Sequence, residues 1–126
     1  MIVADTDVLI DYLRGGGAAD RIALELRTGS LATTAITTFE LWAGAAAERQ
    51  RSAIGVLLGA LHVLPLSAVA AEKGAAIHRE LSRAGAGIGM ADSLIAGACL
   101  ERGAILITRN RKHFERVSGL HLATLP

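Results

Sequence analysis

The sequence has a single cysteine, few aromatic residues and no long uninterrupted apolar run. Cys99 alone can form neither a disulfide framework nor a zinc cluster, which is typical of a reducing compartment, and we expect the cytoplasm. Aromatic residues are only 3% of the chain, which disfavours single-strand binding by base stacking. Asp92 interrupts the apolar stretch over residues 85–100, which is shorter than the ~18–20 residues that span a membrane, so no membrane partner is expected.

Apolar residues, by contrast, are plentiful enough for one core. They make up 52% of 126 residues, and we expect residues 1–126 to form a single domain. The first ten residues carry two aspartates and no basic region, unlike a signal peptide. The net charge of +1 neither demands nor excludes a nucleic-acid partner, but basic residues gather near the end of the chain, at Arg109, Arg111, Lys112 and Arg116.

Short apolar runs alternate with segments of helical periodicity along the whole chain. Strands are predicted at residues 2–4, 31–35, 62–64, 104–108 and 120–125, the last at a sheet edge. Helices are predicted at residues 8–14, 20–28, 38–47, 50–61, 68–83, 90–102 and, as a short turn, 112–116. This alternation predicts an α/β fold of three layers, α/β/α, with a mostly parallel central sheet.

Three acids are expected at the carboxyl edge of that sheet, where ligands bind in such folds. Asp5 follows the first strand. Glu40 is predicted in the first turn of the helix after the second strand, and Asp92 in the first turn of the helix before the fourth. Because neighbouring carboxylates repel one another, their convergence favours a hard divalent cation, Mg²⁺ or Mn²⁺. The chemistry predicted is metal-assisted hydrolysis of a phosphodiester.

Each acid also has a purely structural interpretation. Asp5 or Thr6 could cap the first helix, Glu40 could form a capping box with Thr37, and Asp92 could complement a helix dipole. Taken singly, these interpretations are favoured for Glu40 and Asp92, but the convergence of all three acids favours a site. Asp7 is either a further metal ligand or another first-turn acid, and the latter is preferred. Asp11, one turn onward, is expected on the solvated surface.

Five segments, taken together and in order, resemble the PIN domain and, within it, the VapC-type toxins of bacterial toxin–antitoxin pairs. They are residues 2–10 (IVADTDVLI), 37–41 (TTFEL), 90–96 (MADSLIA), 105–110 (ILITRN) and 112–120 (KHFERVSGL). The resemblance covers essentially the whole chain. It implies a Mg²⁺- or Mn²⁺-dependent endoribonuclease of structured RNA, often tRNA or ribosomal RNA, with Asp5, Glu40 and Asp92 as the catalytic, metal-binding acids.

The same resemblance implies accessory residues and partners. A fourth acid that the family often carries is replaced here by Asn110, preceded by Thr108, which could orient a ligand or water. Asp7 stands where Asn or Ser is usual and could compensate for Asn110; Thr6 is a further accessory candidate. A homodimer and a VapB-type protein antitoxin are also implied.

The pattern of charged and apolar residues indicates which of them could contact RNA or another protein. Arg109, Arg111, Lys112 and Arg14 are candidates for RNA phosphate contacts, against the alternative of a solvated basic face. Phe39 is expected in the core, whereas Trp42 is equally consistent with core and interface. His113 is expected to be a solvated surface residue.

Two other functions share part of the pattern. The DTDVL segment after an apolar strand also resembles haloacid-dehalogenase phosphatases, but those need a later active-site lysine and acidic pair, and only Lys73 and Lys112 are present. A phosphoreceiver signalling domain needs an aspartate after a central strand, yet no aspartate lies between Asp20 and Asp92. Both are ranked below the nuclease.

Overall fold

The computed structural model describes residues 1–125 and contains one five-stranded, wholly parallel sheet. The strand order is β3-β2-β1-β4-β5, so the first strand lies at the centre. Its strands are β1 (Ile2–Ala4), β2 (Leu31–Thr34), β3 (His62–Leu64), β4 (Ile105–Ile107) and β5 (His121–Leu122). Seven helices connect them: α1 (Thr6–Leu13), α2 (Ala19–Thr28), α3 (Ala35–Ala43), α4 (Glu48–Gly59), α5 (Ala68–Arg83), α6 (Met90–Arg102) and α7 (Arg111–Phe114).

The core is divided by the sheet into two clusters, because successive side chains of a strand point to opposite faces. Val3 packs on one face with apolar residues of α5 and α6. Ala4 packs on the other with apolar residues of α1, α2 and α4. Helices therefore cover both faces, and the predicted three-layer α/β/α fold with a parallel sheet is confirmed.

The contact between α5 and α6 depends on glycine. A Cβ on Gly97 would lie 2.3 Å from the carbonyl oxygen of Ala70 and 2.7 Å from the amide nitrogen of Gly74. A Cβ on Gly74 would in turn lie 2.9 Å from the carbonyl oxygen of Ser93. The two backbones thus approach more closely than any side chain at these positions allows, which fixes α6 against α5.

The start of α3 differs from the sequence prediction. Strand β2 ends at Thr34, and the Thr34 hydroxyl accepts the amide hydrogen of Thr37 at 3.1 Å, so the helix begins at Ala35. Thr37 is consequently inside the helix and does not cap it, and Glu40 lies in the second turn. The expectation that Phe39 belongs to the core is also wrong, since this side chain is 70% exposed.

The remaining element boundaries shift by a few residues. Helix α1 begins at Thr6 because Asp5 is its N-cap, and α7 covers Arg111–Phe114. The predicted last strand over residues 120–125 is reduced to His121–Leu122, which pairs in parallel with β4. Within residues 1–125, every helix is too short or too polar to cross a membrane.

Candidate active site

Asp5 occupies the end of the central strand and is buried, with 5% of its surface exposed. Its amide donates to the carbonyl oxygen of Ile107 on β4 at 2.9 Å, which continues the sheet pairing to this residue. Its Oδ1 accepts the amide of Thr6 at 2.8 Å, and its Oδ2 accepts the Thr108 hydroxyl at 2.7 Å. The capping interpretation is therefore confirmed, and it leaves the carboxylate fixed at the sheet edge.

The surroundings of Asp5 disfavour its charged form. Burial, followed by the charge of Asp7, raises its pKa from 3.8 to about 7. Hydrogen bonds from Thr108 and Thr6 lower the pKa but do not offset burial, and the charge of Asp92 raises it further. Asp7 and Asp92 are thus each close enough to Asp5 to disfavour its charged form.

Asp7 carries an unpaired buried oxygen. As the second residue of α1, it turns Oδ2 toward the amide of Arg109 at 3.1 Å, whereas Oδ1 is buried without a hydrogen-bond partner in the part of the chain described. Burial raises the pKa of this carboxyl as well. The Thr108 hydroxyl lies 3.5 Å from Asp7, but its one hydrogen is directed to Asp5 at the shorter distance.

Glu40 reaches the same edge from the second turn of α3. Its Oε1 accepts the hydroxyl of Thr6 at 2.7 Å, and the same hydroxyl lies 3.0 Å from that of Thr37. Thr6 therefore joins the two acids: its amide binds Asp5 and its side chain binds Glu40. Thr6 thus brings Asp5 and Glu40 close together, as expected, whereas the alternative capping box with Thr37 is not formed.

Asp92 lies in the first turn of α6, as expected, and contacts a residue that the sequence did not link to it. Its Oδ2 is 2.7 Å from Nδ1 of His113, which also lies 2.8 Å from Nδ2 of Asn110. His113 is exposed, as expected, and is in addition a partner of Asp92. Its position in the short helix after β4, at the carboxyl edge, was the available signal.

The donor chemistry of this edge suits a hard divalent cation. Its acids supply oxygen ligands only, one buried carboxylate oxygen has no partner, and two acids have raised pKa values that a cation would reverse. As oriented, no three His, Cys, Asp or Glu side chains among residues 1–125 are arranged to hold an ion. Glu40 is engaged by Thr6 and Asp92 by His113, so a shared ion requires these side chains to exchange partners.

The basic candidates flank this edge on two sides. The guanidinium of Arg109 pairs with Oδ1 of Asp11 at 2.7 Å, so the expectation that Asp11 is solvated is wrong. Arg111 donates to the carbonyl oxygen of Ala123 at 2.9 Å, and Lys112 is exposed. On the other side, Arg14 and Glu40 line a cavity of about 320 Å³ between α1, α3 and α4.

Known proteins are similar to this chain over most of its length. The PIN domain matches residues 2–120. The chain is 34% identical over 120 residues to the tRNA(fMet)-specific endonuclease VapC of Shigella flexneri, covering 92% of this chain and 91% of that protein. It is 35% identical over 115 residues to ribonuclease VapC10 of Mycobacterium tuberculosis, covering 90% and 86% respectively.

A solved structure agrees in fold along nearly the whole chain. A chain of the DNA-bound VapBC complex from Salmonella typhimurium superposes with a TM-score of 0.85 at 28% identity, covering 97% of this chain and 96% of that one. The sequence match extends from β1 to the residue before β5. It therefore includes the four acids at the carboxyl edge, Asp5, Asp7, Glu40 and Asp92, hereafter the acid crevice. The chain therefore belongs to the PIN-domain family, among its VapC-type members.

Proposed function

We propose that this protein is a divalent-metal-dependent endoribonuclease that acts as the toxin of a toxin–antitoxin pair. The observation that carries the proposal is the buried Asp5 at the end of the central strand, held by Thr6 and Thr108 beside Asp7 and the charge of Asp92. The chain is similar in sequence, over most of its length, to a curated VapC-type ribonuclease and a curated VapC-type endonuclease, which supports the reaction class.

The residues of the crevice divide the work of holding a cation and a phosphodiester. Asp5, Glu40 and Asp92 would hold Mg²⁺ or Mn²⁺, and Asp7 is an accessory acid. When bound, such an ion supplies charge neutralisation at the phosphoryl group and an acidified water. Thr108 and Thr6 fix the Asp5 oxygens so that the acid meets the cation without rotating.

Asn110 and His113 contact Thr108 and Asp92, respectively. The backbone amide of Asn110 donates to the Thr108 hydroxyl at 3.0 Å. The side chain of Asn110 offers a neutral oxygen, which is a weaker ligand than a carboxylate. His113 holds Asp92 at 2.7 Å. Asp92 would leave His113 in order to hold the ion together with Asp5 and Glu40.

The RNA and protein partners follow from the relatives. The Shigella flexneri protein is named for cleavage of tRNA(fMet), so tRNA is the first substrate to test, with ribosomal RNA as the alternative. Lys112 and Arg14, both exposed beside the crevice, would contact its phosphates. A VapB-type antitoxin is proposed as a protein partner because a VapBC complex has the same fold. A homodimer is also expected, and light scattering would measure the molar mass that tests it.

The proposal is tested by cleavage of tRNA with purified protein. We expect cleavage with Mg²⁺ or Mn²⁺ and none after EDTA. Asp5→Asn, Glu40→Gln and Asp92→Asn should each lower the rate by at least about 100-fold while the circular dichroism remains that of the wild type, since each removes a charged ligand. Glu72→Gln, an exposed acid on α5, is the matched control and should cleave normally.

Two results would contradict the proposal at different levels. Cleavage that survives EDTA and Asp5→Asn would reject the metal-dependent mechanism. Induced expression of the wild type should arrest growth, and Asp5→Asn should not. A wild type that cleaves RNA in vitro but never slows growth would reject the toxin role and leave the nuclease intact.

A further inference from the structure

A second cavity adjoins the acid crevice on the β4–β5 side. It measures about 430 Å³, within the ~300–1,000 Å³ typical of ligand pockets. Its walls come from the loop before α2 at Gly17 and Ala18, from the segment after β4, and from the last described residues at Thr124. Thr108 belongs to both sites, since it lines this cavity and donates to Asp5 at 2.7 Å. The cavity therefore lies next to Asp5.

The two arginines of this cavity, Arg109 and Arg111, are held in place by the protein. Arg109 Nη1 donates to Oδ1 of Asp11 at 2.7 Å, and Oδ2 of the same carboxylate accepts the amide of Ala18 at 2.6 Å. Arg111 Nη1 donates to the carbonyl oxygen of Ala123 at 2.9 Å. Each guanidinium has five N–H donors, so both keep donors for a ligand after their side chains have been ordered.

The two arginines differ in how much free charge they bring. The charge of Arg109 is offset by Asp11, whereas Arg111 rests on a neutral carbonyl and forms no ion pair with residues 1–125. No carboxylate lines the cavity among the described residues. Arg111 is therefore the group that attracts an anion, and Arg109 ties the loop before α2 to β4.

We propose that this Arg109–Arg111 cavity binds the sugar–phosphate unit next to the scissile phosphate of the RNA. Arg111 contacts the phosphate, and Arg109 positions the loop wall through Asp11. The proposal rests on the ribonuclease function above and assigns it a substrate subsite. A phosphate is the appropriate anion because the cavity shares Thr108 with the acid site, and a phosphodiester strand must carry a phosphate to each side of the cleaved one.

The test measures binding and cleavage separately. Fluorescence anisotropy of labelled tRNA is followed at several salt concentrations, with every variant placed on the Asp5→Asn background. Arg111→Gln should weaken binding about three- to tenfold and reduce the slope of log affinity against log salt by about 0.7, the value for one lost phosphate contact on a single strand. Arg111→Lys should keep the slope, because the charge remains.

Two controls separate this role from a structural one. Arg27→Gln removes an exposed arginine at the opposite edge of the sheet and should change neither affinity nor slope. Arg109→Gln combined with Asp11→Asn removes a neutral pair, so the slope should stay near that of the Asp5→Asn background even if the melting temperature falls. Thermal melts of all variants identify any loss of folding.

An unchanged slope in Arg111→Gln, with the protein folded, would overturn the subsite. A slope that falls equally in Arg27→Gln would do the same, because the effect would then be general electrostatics. Both results leave the proposed function intact, since that depends on cleavage by the wild type and its loss in Asp5→Asn. Cleavage kinetics on the Asp5-containing chain give a further measure: Arg111→Gln should raise KM more than it lowers kcat.

Discussion

Helix α6 takes part in two regions of opposite character. Its middle packs Gly97 against Ala70 and Gly74 of α5, backbone on backbone, without room for one added carbon. Its first turn carries Asp92, whose charge acts on the buried Asp5, to a crevice where one buried carboxylate oxygen of Asp7 has no partner among the described residues. Helix α6, thirteen residues long, thus takes part both in a close backbone contact with α5 and in a crevice whose polar atoms are not all paired.

The difference shows where this molecule gains stability and where it gives stability up. Close packing of α5 on α6 adds dispersion contacts and holds α6 rigidly. The crevice concentrates negative charge that the folded chain alone cannot neutralise, which is the usual compromise of a binding site. Four substitutions or additions test this contrast, from the largest expected change in stability to the smallest.

Gly97→Ala should have the largest effect. The new Cβ meets backbone atoms of Ala70 and Gly74, which can only move if the helices separate. We expect a loss of about 3 kcal/mol or more of unfolding free energy, at the upper end for overpacked sites. Chemical denaturation measures it.

Gly59→Ala is the matched control, because a Cβ at this last residue of α4 meets no atom within 4 Å. It should leave stability equal or raise it by about 0.5–1 kcal/mol, the usual gain for Gly→Ala in a helix. Equal losses for the two glycines would reject the close approach of α5 and α6.

Divalent cations should stabilise the wild type in the absence of RNA. A ligand present at about 100 times its dissociation constant adds about 2.7 kcal/mol to the folded state. Millimolar Mg²⁺ or Mn²⁺ should therefore raise the melting temperature by several degrees, and Asp5→Asn should remove most of this increase. An identical increase in both proteins would mean that the ions bind elsewhere.

Without divalent cations, the Asp5→Asn variant should become increasingly more stable than the wild type as the pH rises. The pKa of Asp5 is about 7 in the folded state against 3.8 unfolded, so the folded chain binds more protons between these values. Wild-type stability should fall as the pH rises from about 4 to about 7, and Asn at this position does not titrate. With EDTA, the variant should melt at least about 4 °C above the wild type at pH 8, equivalent to roughly 1 kcal/mol.

The same comparison at acid pH provides the control for Asp5→Asn. Well below pH 3.8, the pKa of the unfolded chain, both states of the wild type carry a protonated Asp5, so the advantage of the variant should disappear. A constant difference between the two proteins across the whole pH range would contradict the raised pKa.

Asp7→Asn should give the smallest effect. It removes a charge that raises the pKa of Asp5 while keeping an oxygen to accept the amide of Arg109. We expect a gain below about 1 kcal/mol at neutral pH, since the side chain is only partly buried, and a descending limb of the stability–pH curve that lies at lower pH. Thermal melts across pH measure this, and an unmoved limb, as in the control Glu72→Gln, would contradict it.

The sheet and its acid edge could be predicted because they follow from simple rules. Short apolar runs gave all five strands, and the common direction of parallel strands brought Asp5 and Thr108 together although 103 positions separate them. The first-turn position of Asp92 was predicted for the same reason. Periodicity and topology are sufficient to predict the position of a residue where that position depends only on the strand or helix that contains it.

The errors arose where the partner of a side chain could not be inferred from the residues around it. Both Thr34 and Thr37 can cap a helix, and the sequence does not say which hydroxyl takes the role; Thr34 takes it, and Glu40 moves to the second turn. Asp11 was expected in solvent because its pairing with Arg109 joins distant segments. The partner of Asp92, His113, was missed for that reason too.

The central position of β1 has a consequence for synthesis on the ribosome. Ile2 pairs with both Leu31 and Ile105, so β1 is made long before β4 and must wait for it to complete its hydrogen bonds. Contacts of such long range form late. A nascent chain cannot fix the Asp5 carboxylate before Thr108 has emerged, and the emerging fragments therefore lack an assembled acid site.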